Sequence, residues 1–408
     1  MLNQSFLPAK KIIDIIEKNG HKAYFVGGAV RDQFLDKKIG DIDITTSARP
    51  NEIQQFFEKV IPVGIEHGTV IVRYGKESYE VTTFRIEEGY SDFRHPDNVQ
   101  FVDRIEDDLA RRDFTINAIA MDTKGNFIDP YGGKSDIENK QISTVGNPVD
   151  RFQEDPLRIM RALRFCSQLG FSIDKNTKKA IVDNIASIEK VAIERIGIEL
   201  EKMFIGTHIS LASPLLIESN VDRYLPIFRD NYKFIKNLRD HSIPLGSMSE
   251  IVAMFHLYDQ TISLEQWVNE WKLSNQIKRD ANALVTAMYY YKKNGLDNWL
   301  VFTLPKHLFN GLVRLTSIFA RGFELESEVL ERMWSNLPIQ TRNNLALNGI
   351  DVASIFPNLQ KGPWIGQCLS HLEYQVVLGH LNNEQTELRK WVKDEVHPES
   401  LNRITRKE

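Results

Sequence analysis

Two acidic residues stand one apart in the run Gly40-Asp41-Ile42-Asp43-Ile44. On a strand, residues i and i+2 point to one face. This spacing therefore sets the carboxylates of Asp41 and Asp43 side by side and turns Ile42 and Ile44 to the core. Adjacent carboxylates repel each other unless a cation sits between them. Hard oxygen ligands of this kind suit Mg²⁺ shared with substrate phosphates. Upstream, Tyr24-Phe25-Val26 runs into Gly27-Gly28, and Arg31 follows three residues after Gly28. Glycines let backbone N–H groups approach a phosphate closely, and the helix start that follows favours anions. Arg31 adds a charge-assisted contact. A Gly-Gly pair alone is usually just a turn, and a D-x-D alone is usually solvated surface. Strand, Gly-Gly turn, basic helix start and D-x-D strand in one short unit point to chemistry on a nucleoside triphosphate.

A second centre lies in Arg151–Phe171, RFQEDPLRIMRALRFCSQLGF. Asp155 just before Pro156 reads as a helix N-cap. That does not account for Arg158, Arg161 and Arg164, which continue from Asp155 in steps of three. Such a row slants along one side of a helix. No acidic residue interrupts it, so the arginines repel each other unless an anion lies against them. A third cluster is Arg111-Arg112-Asp113, in a helix expected over 106–121. Asp113 and Asn117, at i and i+4, share a face there; a solvated, salt-bridged helix is the plainer alternative. Glu80 lies on a β-branched strand and reads equally well as an exposed edge glutamate or as a third carboxylate.

The elements that must position these groups follow from periodicity and turn signals. A helix spans residues 1 to about 20, with Ile12, Ile13, Ile15 and Ile16 on its apolar face. Another begins near Ala48-Arg49-Pro50 and turns Ile53, Phe56 and Phe57 inward. Strands are expected over 65–72 and 79–85 around a turn at 74–77. Glu87 to Gln100 reads as a long polar loop, with Arg94 inside it and Tyr90 and Phe93 at its tip. Beyond residue 207 the pattern is almost wholly helical. Chain length, 408 residues, suffices for two to four structural units. Fifty-one basic against 55 acidic residues give a net charge of −4, which argues against a general nucleic-acid coat but permits a local basic groove. Cys166 and Cys368 are far apart and outside any C-x-x-C, so neither zinc nor a disulfide framework is expected. Buried thiols in a reducing, cytoplasmic compartment are the expectation. The N-terminus lacks a signal-peptide core, and no stretch has the length and apolarity of a membrane span.

The strings carrying these clusters resemble a known family. GGAVRD with DIDITT is similar to the head of the nucleotidyltransferase superfamily that includes DNA polymerase beta, in its class II tRNA nucleotidyltransferase and poly(A) polymerase branch. RRDFTINAIA and EDPLRIMRALRF resemble further motifs of that branch. KGPWIG at 361–366 resembles the tail of Gram-positive, Bacillus-like CCA-adding members. The resemblance implies an α+β fold: a polymerase beta-like head of mixed sheet and helices, then an all-helical neck, body and tail. The expected bounds are head 1–138, nucleotide-recognising neck 139–206, body 207–310 and tRNA-binding tail 311–408. It implies Asp41, Asp43 and Glu80 as catalytic carboxylates, with Asp41 and Asp43 holding Mg²⁺. It implies ATP and CTP contacts from Gly28, Arg31, Arg112, Asp155, Arg158, Arg161 and Arg164, and a sugar site at Asp113 and Asn117. Asp155 can accept from the amino group of cytosine or adenine, and Arg158 can donate to the neighbouring ring nitrogen. Guanine and uracil reverse both patterns, at about 1–3 kcal/mol per unsatisfied buried partner.

The function implied is addition and repair of the 3′-terminal CCA of tRNA from CTP and ATP, without a template, by two-metal phosphoryl transfer releasing pyrophosphate. Oligomeric state is open, a homodimer included. The rivals within the class are a CC-adding enzyme, an A-adding enzyme and a bacterial poly(A) polymerase. The chain is not markedly basic, and IEHGTV at 65–70 resembles the tRNA-specific branch. By the same resemblance, members that add only CC lack a full loop here, so the full loop at 87–100 speaks against a CC-only enzyme; accepting a purine after two pyrimidines also requires something to move. A catalytically inactive RNA-binding scaffold is a rival of another class; the intact D-x-D counts against it.

Overall fold

The structure, a computed structural model, describes residues 2–93, 96–319 and 325–395. Helix α1 (Leu7–Lys18) begins with a proline in its first turn and buries Ala9, Ile12, Ile13 and Ile16. Phe6, just ahead of it, meets Phe25 of strand β1 (Ala23–Val26) with ring centroids 4.8 Å apart. Strand β2 (Asp43–Thr46) pairs antiparallel with β1, from Ala23 opposite Thr46 to Val26 opposite Asp43. There the ladder stops, because Gly27 (φ 73°) turns the chain into α2 (Gly28–Phe34). Residues before Asp43 have no strand to pair with. Asp41 and Ile42 therefore precede the strand on which the D-x-D spacing placed them, and Asp41 is exposed.

After β2 the chain passes through α3 (Pro50–Phe56), β3 (Val60–Gly64) and β4 (Thr69–Tyr74). It returns in β5 (Glu77–Thr83), which lies parallel to β2 with Ile44 opposite Val81. Ile65–His67, expected as strand, is a single 3₁₀ turn closed by Gly68 at φ 80°. Strands β6 (Arg85–Glu88) and β7 (Asn98–Phe101) form a separate hairpin, with Arg85 opposite Phe101 and Glu88 opposite Asn98. The expected open loop at 87–100 thus has paired arms; Arg94 lies outside the described residues.

Helix α4 (Ile105–Ala110) stops well short of the expected residue 121. Its successor pairs elsewhere: Thr115 N donates to Ser143 O at 3.0 Å, Val145 N donates to Asp113 O at 3.2 Å, and Phe114 bridges Thr144. A backbone satisfied by another segment cannot also satisfy itself in a helix. A 3₁₀ turn at Thr115–Asn117 leads into β8 (Ala120–Met121) and β9 (Phe127–Ile128). The resulting seven-stranded mixed sheet runs β3-β4-β5-β2-β1-β8-β9. Val26, Phe84, Ile105, Leu109, Ala118, Ala120 and Val145 pack as one core cluster beside it.

Helices follow. Asp129 accepts from Gly133 N at 2.7 Å and Lys134 N at 2.8 Å and so starts α5 (Gly133–Glu138). Two short strands, β10 (Gln141–Ile142) and β11 (Ser172–Ile173), pair in parallel on either side of α6 (Pro148–Glu154) and α7 (Leu157–Leu169). Next come α8 (Lys175–Asn184), α9 (Ile193–Ile205), α10 (Ile209–Glu218) and α11 (Tyr232–Arg239). These belong to a compact unit of Met1–Pro244 with Glu270–Lys272.

The second unit, Leu245–Asn269 with Leu273–Glu408, is helical throughout its described residues. It contains helices at Met248–Tyr258, Asn275–Asn294, Phe309–Phe319 and Trp364–Val377, in keeping with the helical pattern expected beyond residue 207. The buried Glu250 takes two bonds from Arg314, at 2.7 and 2.8 Å, and locks two of these helices together. Among the described residues no helix is long and apolar enough to cross a membrane.

Helix α7 carries the arginine row, and its placement depends on a close approach to α9. Ser167 Oγ donates to Met203 O at 2.6 Å, and His208 N donates to Ser167 O at 2.8 Å. A Cβ on Gly206 would stand 2.7 Å from the Ser167 backbone. Gly206→Ala is therefore expected to cost about 1–3 kcal/mol by overpacking. Denaturant unfolding of the purified variant checks this; an unchanged midpoint would mean that the two helices separate freely.

Candidate active site

The carboxylate edge is built by strand pairing. Because Ile44 lies opposite Val81 in the parallel pair, Asp43, at the start of β2, has Glu80, midway along β5, as its lateral neighbour. Asp43 is half-buried, whereas Glu80 and Asp41 are exposed. Burial pushes the Asp43 carboxyl up to about 6; Glu80 and then Asp41 add to this, while Arg112 opposes it. Gly27 keeps the approach to Asp43 open: a Cβ there would lie 3.5 Å from Asp43 Oδ2 and 3.6 Å from Arg112 Nη1.

Among the described residues, no group of three His, Cys, Asp or Glu side chains forms a cage for a metal ion. The donors available here are carboxylate oxygens on one side only, beside an open cleft. That fits a hard cation that takes one or two carboxylates and completes its shell with substrate phosphates and water. It does not fit a closed structural site.

The row on α7 finds its counter-charges in distant parts of the chain. Arg158 Nη1 donates to Glu154 Oε2 at 2.5 Å and to Arg151 O at 3.1 Å, and its Nη2 reaches Arg111 O at 3.2 Å. Arg161 Nε donates to Asp113 Oδ2 at 2.7 Å. Arg164 Nη1 lies 3.0 Å from Glu199 Oε2 on α9. The mutual repulsion expected of the row is thus met in part by protein carboxylates. It is not fully met at Arg164, whose guanidinium is brought down to about 10 by burial and by Arg161. Asp155 does two things at once. Its Oδ1 accepts from Leu157 N at 3.1 Å as a cap, and its Oδ2 accepts from Arg195 Nη2 at 2.8 Å.

A buried chain of contacts links α7 to the sheet. Arg31 Nη1 donates to Asn117 Oδ1 at 2.7 Å, and Asn117 Nδ2 donates to Asp113 Oδ1 at 3.2 Å. The i, i+4 contact of Asp113 and Asn117 is therefore present, although no helix carries it. Burial alone would raise the Asp113 carboxyl. Arg161, then Arg158, and hydrogen bonds from Arg161 and Asn117 outweigh burial and hold it down at about 2.

These groups surround one cleft of about 640 Å³. Gly28, Arg31, Asp43, Arg112, Asp113, Asn117, Asp155, Arg158, Arg161 and Arg164 all line it; Asp41 and Glu80 stand outside the lining. Arg111, from the expected Arg111-Arg112-Asp113 cluster, lines it as well, and so do Glu87, Phe165, Gln168, Arg195 and Lys202, which sequence reasoning missed. Arg111 Nη1 donates to Glu87 at 3.1 Å, and the Tyr90 hydroxyl donates to the same carboxylate at 2.7 Å, so the hairpin reaches the cleft wall. Arg195 and Lys202 were legible only as polar positions on an amphipathic helix. In all, eight basic side chains face four carboxylates across the cleft. Such a surface receives a polyanion.

Residues 23–143 match the family model described as "Poly A polymerase head domain". Residues 170–230 match "Probable RNA and SrmB- binding site of polymerase A", and 247–392 match "tRNA nucleotidyltransferase domain 2 putative". The CCA-adding enzyme of Oceanobacillus iheyensis is 47% identical over 393 residues, 96% of this chain and 98% of that one. The chain belongs to the CCA-adding enzyme family. A member from Anoxybacillus flavithermus is 41% identical over 394 residues, 96% of this chain and 97% of its own. The crystal structure of the Bacillus stearothermophilus CCA-adding enzyme in complex with CTP superposes with a TM-score of 0.86. That pair is 36% identical and covers 100% of both chains. In this family member, then, the α+β head is followed by helical regions, as expected from the resemblance.

The Asp113 ion pair makes a pH prediction. Its folded pKa lies below the ordinary 3.8, so its contribution to stability is complete above about pH 4 and is lost as pH falls through about 2. The shift corresponds to about 2 kcal/mol. Acid titration of unfolding is expected to show the native chain losing that increment between pH 4 and 2, with Asp113→Asn lacking it. Parallel curves would overturn the assignment.

Proposed function

We propose that the chain adds and repairs the 3′-terminal CCA of tRNA, using CTP and ATP and releasing pyrophosphate. The observation that carries this reading is the single cleft joining Asp43, the arginine row and the Asp155–Arg158 pair. The terminal ribose 3′-oxygen attacks the α-phosphorus; the bond from that phosphorus to the bridging oxygen of the β-phosphate breaks, and pyrophosphate leaves. Asp43, with Asp41 and Glu80 beside it, orients the hydroxyl. Magnesium ions held by Asp41 and Asp43 would lower the charge barrier between hydroxyl and phosphate. Arg31, Arg161 and Arg164 hold the triphosphate, and Arg112, which lines the same cleft as Asp43, contacts the incoming nucleotide. Asp113 and Asn117 border the sugar. Most of the catalysis is positioning and charge stabilisation in a prepared site.

Base choice falls to Asp155 and Arg158. Each is occupied: Asp155 Oδ2 by Arg195, and Arg158 Nη1 by Glu154. A cytosine or adenine offers Asp155 an amino donor and Arg158 a ring-nitrogen acceptor, so each keeps a hydrogen-bond partner facing the base. Uracil or guanine presents a carbonyl to Asp155 and an N–H to Arg158, and neither bond forms. Residues 139–206 act as the nucleotide-recognising neck, and the helical body and tail bind the tRNA. The reaction is placed in the cytoplasm, in keeping with two buried free thiols.

Incubation of the protein with tRNA lacking CCA, one labelled nucleotide at a time, tests the reading. CTP alone is expected to add two residues, and CTP with ATP three; product of one kind only would favour a CC-adding or A-adding enzyme, and long A tails a poly(A) polymerase. Asp43→Ala is expected to keep the fold and lose incorporation of both nucleotides by at least about a hundredfold. Near-normal addition by that variant would remove Asp43 from the chemistry. Asp155→Ala is expected to relax rejection of UTP and GTP, whereas Arg112→Ala weakens all four nucleotides alike. A four-nucleotide incorporation profile separates the two: unchanged selectivity in Asp155→Ala would leave Asp155 as a helix cap only.

A further inference from the structure

Three guanidinium groups converge on one aromatic ring in the cleft. The Phe165 ring centroid lies 4.2 Å from Arg164 Cζ, 5.4 Å from Arg31 Cζ and 5.5 Å from Arg161 Cζ. Phe165 is 5% exposed, and Phe114 meets it edge-on with centroids 5.7 Å apart and planes at 84°. Arg161 and Arg164 come from its own helix, and Arg31 comes from α2. Without a substrate, three cations around one point repel each other. Their carboxylate partners pull in different directions: Arg31 to Asp32, Arg161 to Asp113, and Arg164 to Glu199. Arg164 Nε is buried without a hydrogen-bond partner, so its cationic head is only partly satisfied by protein.

A ring supplies what a carboxylate would spoil. Its negative face attracts each guanidinium without neutralising it, so the charge remains available to an incoming anion. A leucine would fill the same space but would not orient the three heads. Arg158, one turn further back, points elsewhere, to Glu154 and to the main-chain oxygens of Arg151 and Arg111. The row is therefore divided into a base-facing member and two ring-bound members.

We propose that Phe165 is a positioning residue, whose ring gathers Arg31, Arg161 and Arg164 into one receptor for the triphosphate of the incoming nucleotide. This rests on the cleft being a nucleoside-triphosphate site. Because the receptor reads only phosphate, it serves CTP and ATP equally and takes no part in telling the bases apart.

The test compares native enzyme with Phe165→Leu and Phe165→Tyr. Steady-state KM and kcat are measured for CTP and ATP, with inhibition by CMP and by pyrophosphate and with the CTP-to-UTP preference. In Phe165→Leu, KM for both triphosphates is expected to rise about tenfold, the scale of one desolvated cation–ring contact. Pyrophosphate inhibition is expected to weaken in parallel, while CMP inhibition and the preference for CTP over UTP stay as in the native enzyme. Phe165→Tyr keeps the ring and is expected to restore the native KM. An unchanged triphosphate KM in Phe165→Leu, or CMP binding weakened as much as CTP binding, would make Phe165 a packing residue and overturn the inference. If Phe165→Leu does not fold, mono-, di- and trifluorinated phenylalanine at this position decide the matter, since fluorine drains the ring face with little change of shape. KM climbing with each fluorine supports the inference, and a flat series overturns it. Failure of the native enzyme itself to use CTP would instead remove the functional reading on which the inference stands.

Discussion

A carboxylate sealed between guanidinium groups sets the geometry of the cleft. Asp113 is almost inaccessible, and it stays charged only because Arg161 and Arg158 face it. Its contact with Arg161 spans 48 positions of the chain and ties α7 to the segment entering β8. Taking away either partner would strand a buried charge, a loss of about 3–5 kcal/mol. Helix α7 therefore cannot lean away from the sheet without a large cost. The other oxygen of Asp113 accepts from Asn117, and Asn117 in turn receives Arg31. Three side chains facing the cleft thus take their direction from one buried anion.

Much of this was legible from local spacing. Gly27-Gly28, Asp43 and the stepped arginines could be found because turns, strands and helices repeat with fixed periods. What local spacing could not provide was the identity of the counter-charges. Glu199 lies 35 positions from Arg164, and Arg195 lies 40 from Asp155. Nothing in either segment alone marks them as partners. The expected helix over 106–121 failed for a related reason. Its second half has helical spacing, but residues 113–115 give their backbone bonds to 143–145. Asp41 was placed on a strand by alternation, yet alternation does not say where a neighbouring strand ends. Here β1 ends opposite Asp43, and the ladder ends with it.

Charge in this protein is a matter of position more than of total. The chain as a whole carries −4, while the cleft wall holds twice as many basic side chains as acidic ones. Such segregation requires support, because like charges gathered in a poorly hydrated wall oppose one another. Support comes from two sources of different character. Carboxylates fix direction but cancel charge, and the aromatic ring of Phe165 draws cations inward while leaving their charge intact. The hairpin adds a further fixed point through Glu87, which holds Arg85 at 2.6 Å and Arg111 at 3.1 Å. At the hairpin tip, Lys190 lies 4.0 Å over the Phe93 ring.

The parallel pairing of β2 with β5 has a consequence for how the molecule comes into being. Every other pairing among the described strands of the seven-stranded sheet is antiparallel. A parallel neighbour cannot be reached by a tight turn, so α3, β3 and β4 must be laid down before β5 can slot beside β2. Contacts of this sequence separation form late, because the loop entropy is lost before any bond is gained. A chain still being synthesised can close the antiparallel β1–β2 pair around α2 and shape the glycine turn early. It cannot bring Glu80 beside Asp43 until the crossover is complete. The glycine turn therefore matures ahead of the carboxylate edge, and the cleft is complete only when α7, later still in the chain, brings its arginines beside both.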